Sequence, residues 1–297
     1  MKLSFATNAY TDGTWTLDTA FAVISRAGYA GAEILADKPL LWLPDMKDKD
    51  FEAIGALLGK HGLAASGVNG FTCSGYWGDR KGPPGQHFGP GFTDSDPKLR
   101  SFKLEYTRRA IDLAAAAGAP GVTVGAGYPP AGMDRTKAWD LLASGLRACT
   151  EYAASRKVKL NLEYEPDLLV GTADEARRML EEIPSPAFGL NFDVGHSWVC
   201  GEAVLPQIRE FAGRIHGIHM EDIASDERGK RVHYHLVPGD GEMPIDGILR
   251  TLAEIGYCGW VTVELYNHSH HPVEVTMESI RRLKPMLDRL RTDAKKS

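Results

Sequence analysis

A single (β/α)₈ barrel is the fold class that this sequence predicts, and three observations carry the prediction. Strand-like and helix-like apolar patterns alternate along the chain, eight of each, and no linker sets off a second domain. A length of 297 residues is ordinary for one barrel filling residues 1–297. Four strand-like segments in the second half each end on a side chain able to hold a metal: VKLNLE at Glu163, AFGLNFD at Asp193, RIHGIH at His219 and WVTVE at Glu264. The carboxyl ends of barrel strands surround one shared mouth, so four such endings would meet there. The competing class, an open doubly wound sheet, usually carries a glycine-rich phosphate loop after its first strand. FATNAYTDG contains none.

Each element follows from local pattern. Residues 2–7 read as the first strand, with Asn8 at its end and Ser4 and Ala6 on one face. Residues 16–27 have helical apolar spacing through Leu17, Phe21 and Ile24, and Gly28 closes the helix. A second strand at 31–35, a helix at 48–61 and a third strand at 64–69 follow. Next comes an irregular stretch at about 70–96, rich in Gly and Pro. Loops of this length inside a compact domain are usually lids or binding loops, which places it near the mouth. Its Tyr76 and Trp77 read first as packing anchors, with stacking on a sugar face as the alternative. A long helix at 97–117, signalled by Asp94, Ser95 and Asp96, leads to the fourth strand at 121–126. Helices at 135–156, 172–183, 203–212 and 245–255 then precede the four ligand-tipped strands, and 275–290 finishes the pattern. The charged stretch at 281–296 reads as a solvated helix with a frayed end.

Composition narrows the class of partner. A hydrophobic share of 43% with 25% charged residues describes a globular protein with a sizeable core. The formal charge of −5 argues against nucleic acid, which requires a basic field. The start, MKLSFATNAYTDG, lacks the apolar run of a signal peptide, and no stretch has the apolar length of a membrane span. Cys73, Cys149, Cys200 and Cys258 form no CxxC pair and read as reduced, mostly buried thiols of a cytoplasmic protein.

Strand parity turns the four endings into a site. Two residues before each ligand stand Asn161, Asn191, Gly217 and Thr262, all polar or small, while Leu160, Leu162, Leu190, Phe192, Ile218, Val261 and Val263 fill the other face. Alternate side chains of a strand point to opposite faces. Three carboxylates and one imidazole suit a single borderline-hard divalent ion. Mn²⁺ fits best, with Mg²⁺, Co²⁺ and Zn²⁺ as alternatives. Glu165 shares the face of Glu163, His196 closely follows Asp193, and HYHLVPGDG puts His233 and His235 after the seventh strand. All four are candidate substrate contacts, and the two loop histidines are also candidate ligands of a second metal. His268, His270 and His271 in NHSHH read as exposed loop histidines.

NLEYEP, GLNFDVGHSW, IHGIHMED and the stretch from HLVPGDGEMPIDG to GWVTVEL, within 159–265, resemble the sugar phosphate isomerase/epimerase superfamily of xylose isomerase-like TIM barrels. FTDSDPKLRSFKLEYTRRAIDLAAAAGAPGVTVGAG resembles the same family's fourth helix–strand unit. The resemblance implies a divalent metal on Glu163, Asp193, His219 and Glu264, with the two glutamates as an acid/base pair on opposite faces of the substrate carbon. It also implies a hydrogen bond from His196 to a substrate oxygen, and it makes a homodimer a reasonable expectation. The family's DNA-repair branch takes further histidines from strands three and four, where this chain has GVNGF and TVGAG.

The expected activity is metal-dependent isomerisation or epimerisation of a small sugar-like keto compound, by proton abstraction beside a carbonyl and through an enediolate. The nearest alternative is a lyase that eliminates a β-hydroxyl or β-glycosyl group after the same first step. A phosphodiesterase of the DNA-repair type and a non-catalytic metabolite-binding barrel rank below both.

Overall fold

The computed structural model describes residues 1–78, 82 and 88–293. Eight parallel strands, β1 (Lys2–Ala6), β2 (Gly31–Leu35), β3 (Ala64–Asn69), β4 (Gly121–Gly125), β5 (Lys159–Glu163), β6 (Phe188–Asp193), β7 (Ile215–Met220) and β8 (Trp260–Val263), close into a barrel in chain order. The outer elements are α1 (Leu17–Ala27), α2 (Asp48–Lys60), α3 (Pro97–Ala117), α4 (Arg135–Ser155), α5 (Ala173–Glu182), α6 (Val194–Val199), α7 (Val204–Glu210), α8 (Ile245–Glu254) and α9 (Pro272–Asp293). No described helix is long and apolar enough to cross a membrane.

Parity does in space what it promised in sequence. Leu160, Leu162, Leu190, Phe192, Val261 and Val263 are wholly enclosed in the apolar core. Side chains of the other parity meet inside the barrel, where Ser4 Oγ bonds Thr262 Oγ1 at 2.7 Å and Asn191 Nδ2 donates to Glu163 Oε2 at 2.9 Å. His216 breaks the alternation. The β6–β7 register shifts between Leu190 and Asn191, and the irregularity turns His216 to Asn161 Oδ1, 2.9 Å away. Gly189 of β6 makes room, because a Cβ there would overlap both the His216 ring and the Arg214 carbonyl.

Caps explain most boundaries. Thr16 and Thr19 form a reciprocal box at the start of α1, Asp96 caps α3 just ahead of Pro97, and Thr172 caps α5. Two elements depart from expectation. The last helix begins at Pro272 rather than 275, with proline in its first turn, where no amide is needed. The six-residue α6 was not foreseen: the Asp193 side chain accepts from the His196 amide and winds the chain into a helix too short to show a period.

The loop after β3 starts with a short 3₁₀ turn, Ser74–Trp77, and its residues 79–81 and 83–87 lie outside the described part. Asp37 anchors it, accepting from the Ser74 amide, the Thr72 and Ser74 hydroxyls and the Gly75 amide. Buried Lys103 donates to the carbonyls of Gly70 and Phe71. Tyr76 packs on Trp77 and on Phe102 of α3, with centroids 4.9 and 4.6 Å apart, so Tyr76 anchors the loop. At the other end of the chain, 294–297 of the expected frayed tail also lie outside the described residues.

Burial, helped by Lys159 and Arg214, pushes the His216 imidazole down to about 4. The unfolded chain takes its proton nearer the usual imidazole value of about 6.5. Stability from this residue is therefore present above that pH and drains away as pH falls toward 4. Melting temperature followed from pH 7 to 4 should decline, and His216→Gln should flatten part of that decline. Identical slopes for both proteins would refute the assignment.

Candidate functional site

The site is assembled from strand ends. Glu163 and Asp193 close β5 and β6, His219 is the penultimate residue of β7, and Glu264 follows β8 directly. His219 is the hub. Its Nδ1 lies 3.3 Å from Glu163 Oε2, 3.4 Å from Glu264 Oε1 and 3.8 Å from Asp193 Oδ2. Its Nε2 lies 2.9 Å from Glu33 Oε2. A carboxylate only accepts, so in the neutral ring Nε2 holds the proton and Nδ1 the lone pair.

Two atoms at this hub, His219 Nδ1 and Asp193 Oδ2, are buried without a hydrogen-bond partner. Buried polar atoms are rarely left so, and each such atom needs an explanation. One ligand atom from each of the four residues lies within 4.8 Å of the others. Three oxygens and one nitrogen at that spacing fit a divalent cation.

The field points the same way. Burial pushes the Glu163 carboxyl up and that of Glu264 well up, toward the protonated form. Burial alone lowers His219, yet the carboxylates of Glu264, Glu33 and Glu163 outweigh it and hold the ring well above the usual imidazole range. Positive charge at this point is favoured. Neutral amides steady the acids: Asn8 Nδ2 and Asn69 Nδ2 both donate to Glu264 Oε1, at 2.9 and 3.2 Å.

A cavity of about 310 Å³ opens at the mouth, with Glu163, Glu264, Glu165, His196, Phe71 and Phe88 among its walls. Burial and neighbouring Glu163 push Glu165 up to about 8. His196 Nδ1 donates to the Tyr164 carbonyl at 3.1 Å, leaving Nε2 as an acceptor. Asp193 and His219 are fully enclosed and do not reach the cavity walls.

The remaining histidines sort differently from expectation. His235 is wholly buried, donates from Nδ1 to the Glu264 carbonyl at 2.9 Å, and is not among the cavity's walls. His233 is half-buried, its ring centroid 4.8 Å from that of His196 and 5.5 Å from that of His235. His268, expected on the surface, is buried: its Nε2 donates to the His235 carbonyl at 2.7 Å and its Nδ1 meets His271 Nε2 at 2.9 Å. It ties the loop after β8 to the loop after β7.

Sequence reasoning missed Glu33 and Glu221. Glu33 is a lone acid in apolar β2, and a buried acid needs a partner somewhere. Glu221 stands two residues past His219 and so shares its face. Its Oε1 accepts the Gly195 amide, pinning α6, and its Oε2 has no partner.

Acids and an imidazole from four strand ends, beneath a cavity, give this (β/α)₈ barrel a candidate metal site at its mouth. The sequence matches the xylose isomerase-like TIM barrel family over residues 21–286, and the chain belongs to that family. It is 27% identical over 278 residues to a fructoselysine 3-epimerase of Shigella flexneri, covering 91% of this chain and 93% of that one. An inosose dehydratase of Clostridium beijerinckii is 30% identical over 138 residues, covering 42% and 46% of the two chains. In fold it resembles a D-tagatose 3-epimerase-like protein, with a TM-score of 0.78, 20% identity and 99% and 100% of the two chains covered. The IOLI protein, solved with a zinc atom, superposes with a TM-score of 0.76 at 18% identity, covering 98% and 99%.

Gly195 has no space for a side chain, because a Cβ would overlap Glu221 Oε1. Gly195→Ala must displace α6 or that carboxylate, and overpacking of this kind costs about 1–3 kcal/mol. Denaturant titration should register the loss. An unchanged midpoint would mean that α6 is not pinned there.

Proposed function

We propose that the protein is a divalent-metal-dependent isomerase or epimerase of a small keto-sugar or related polyhydroxy ketone. The observation that carries this reading is the pair of unpartnered buried atoms, His219 Nδ1 beside the Glu163 and Glu264 carboxylates and Asp193 Oδ2 3.8 Å from that nitrogen. The full-length similarity to a fructoselysine 3-epimerase supports it.

Glu163, Asp193, His219 and Glu264 would hold the ion, Mn²⁺ being the best match to three oxygens and a nitrogen. Once bound, it supplies electrostatic stabilisation for negative charge developing on the substrate oxygens. The protein's own groups do the proton work. Glu163 and Glu264 both reach the cavity, from β5 and β8, so one removes the proton beside the carbonyl and the other returns one to the opposite face. His196 Nε2 accepts from a substrate hydroxyl. Glu165, whose carboxyl is raised to about 8 chiefly by burial, lines the cavity and would donate to a substrate oxygen while protonated. Phe71 and Phe88 cover the apolar face of the substrate and limit water.

Elimination is the second reading, favoured by the partial match to inosose dehydratases. It shares the first proton transfer and differs in the fate of the β-oxygen, which Glu165 would protonate as it leaves. Phosphodiester hydrolysis gains no support, because β3 and β4 end in Asn69 and Gly125 rather than imidazoles.

Incubating Mn²⁺-loaded protein with ketohexoses and keto-inositols in D₂O separates the readings. Carbon-bound deuterium with every oxygen retained marks epimerisation or isomerisation, whereas a conjugated enone marks elimination. Glu163→Gln and Glu264→Gln should each lower the rate by about a hundred- to ten-thousandfold. If neither exchange nor product forms with any of these substrates, the proposal is wrong. Glu33→Gln, which weakens the acceptor that orients His219, should loosen Mn²⁺ binding by about 10–100-fold in calorimetry. An unaltered affinity would remove Glu33 from the metal's support.

A further inference from the structure

We propose a subsite beside the first cavity that receives a neutral hydroxylated ring, so that the substrate is a glycosylated keto-sugar rather than a free one. The reacting ketose is taken from the function proposed above, on which this assignment rests. The subsite itself stands on other residues.

A cavity of about 430 Å³ opens between the loops that follow β3, β4 and β5, with Thr93, Ser95, Tyr128 and Asp167 among its walls. It adjoins the cavity of about 310 Å³ at Phe88, which lines both. Phe88 meets Phe71 of the first cavity edge-on, with centroids 5.4 Å apart, and lies nearly parallel to Tyr128 of the second at 5.7 Å. Burial pushes the Tyr128 phenol up, helped by the carboxylates of Glu165 from the first cavity and Asp167 from the second. One aromatic wall thus runs from the reacting groups into the neighbouring space. Small-ligand pockets occupy about 300–1,000 Å³, so the first cavity suits one small sugar and the pair suits two rings.

The walls select the kind of ring. Among the described residues no lysine, arginine or histidine lines this cavity, and nearby Arg100 is spent on the Asp94 and Ser95 carbonyls. A phosphate or carboxylate finds no counter-charge there. An ammonium group only donates, and its attraction to Asp167 is screened because that residue is exposed. A sugar hydroxyl both donates and accepts. Asp167 and Thr93 Oγ1, whose own proton goes to the Tyr128 carbonyl, accept from such groups, and the Ser95 hydroxyl donates to them. The flat C–H face of the ring then packs on the aromatic wall.

Mn²⁺-loaded protein is given fructose and a panel of glucosyl-fructoses that differ in the linked hydroxyl, and deuterium uptake from D₂O is followed. At least one conjugate should exceed fructose in kcat/KM by about tenfold or more. Ala131→Trp, which fills the subsite from an exposed loop position, should bring that ratio down to about one. Asp167→Asn keeps a residue type that tolerates the φ of 70° found there and should lower the ratio by about threefold. Circular dichroism confirms that both variants are folded. Equal kcat/KM for fructose and every conjugate, or an advantage that survives Ala131→Trp, overturns the subsite and leaves the proposed function standing. A gain confined to amine-linked ketoses overturns its sugar character. Calorimetry with the same compounds covers a silent assay: conjugates that bind more tightly than fructose without any turnover overturn the proposed function and keep the subsite, and binding of none overturns both.

Discussion

Everything at the mouth of this barrel answers to one constraint: several carboxyl groups are buried together around a single imidazole. An ionised acid taken out of water is costly unless something positive or strongly donating replaces the lost solvation. Here the replacement is only partial. Asn191 serves Glu163, and Asn8 and Asn69 serve Glu264, but these amides are neutral. His219 offers at most one positive charge, and its Nε2 is committed to Glu33. The residual deficit is what the proposed cation would offset.

The barrel supplies that cluster with rigidity from below. Parallel strands locked into a closed ring hold each strand end in fixed relation to its neighbours. Where acids crowd, the backbone is thinned: Gly195 admits Glu221, Gly67 admits Glu33, and Gly217 admits Asn191. Loops are then strapped over the ring by side chains. Asp37 gathers the loop after β3, and Asp222 gathers the loop after β7 by accepting the amides of Ile223, Gly239 and Met243. Glu163, Glu165, Glu264 and His196 face the cavity from the ends of β5 and β8 and from α6, and the proposed proton transfer would need such fixed positions.

Strand parity made the four convergent residues legible in the sequence, because an alternation that ends on a ligand-type side chain is a local signal. The closed barrel was legible for the same reason, repeated eight times. What stayed hidden depended on contacts between distant segments. Glu33 looked like any mid-strand acid, and only the fold brings it 186 positions along the chain to His219. Glu221 shares the parity of His219, yet it sits in an acidic pair, MED, that reads as the start of a loop. His268 looked exposed because nothing local predicts that the His235 carbonyl will need its proton. α6 escaped notice because a helix created by one capping carboxylate has no period to read.

The conflict between stability and function is written into the same residues. Glu163, Glu221 and Glu264 have carboxyl pKa values raised by burial, so the folded protein holds on to protons that the unfolded chain releases. Each raised value means that stability drains as pH climbs from the ordinary carboxylate range toward the folded value. At neutral pH the metal-free fold therefore carries the strain of its own site. A cation that binds only the folded chain returns that free energy in proportion to the logarithm of its concentration over its dissociation constant. If the proposed cation binds, its binding and the integrity of the barrel mouth are one equilibrium seen from two sides.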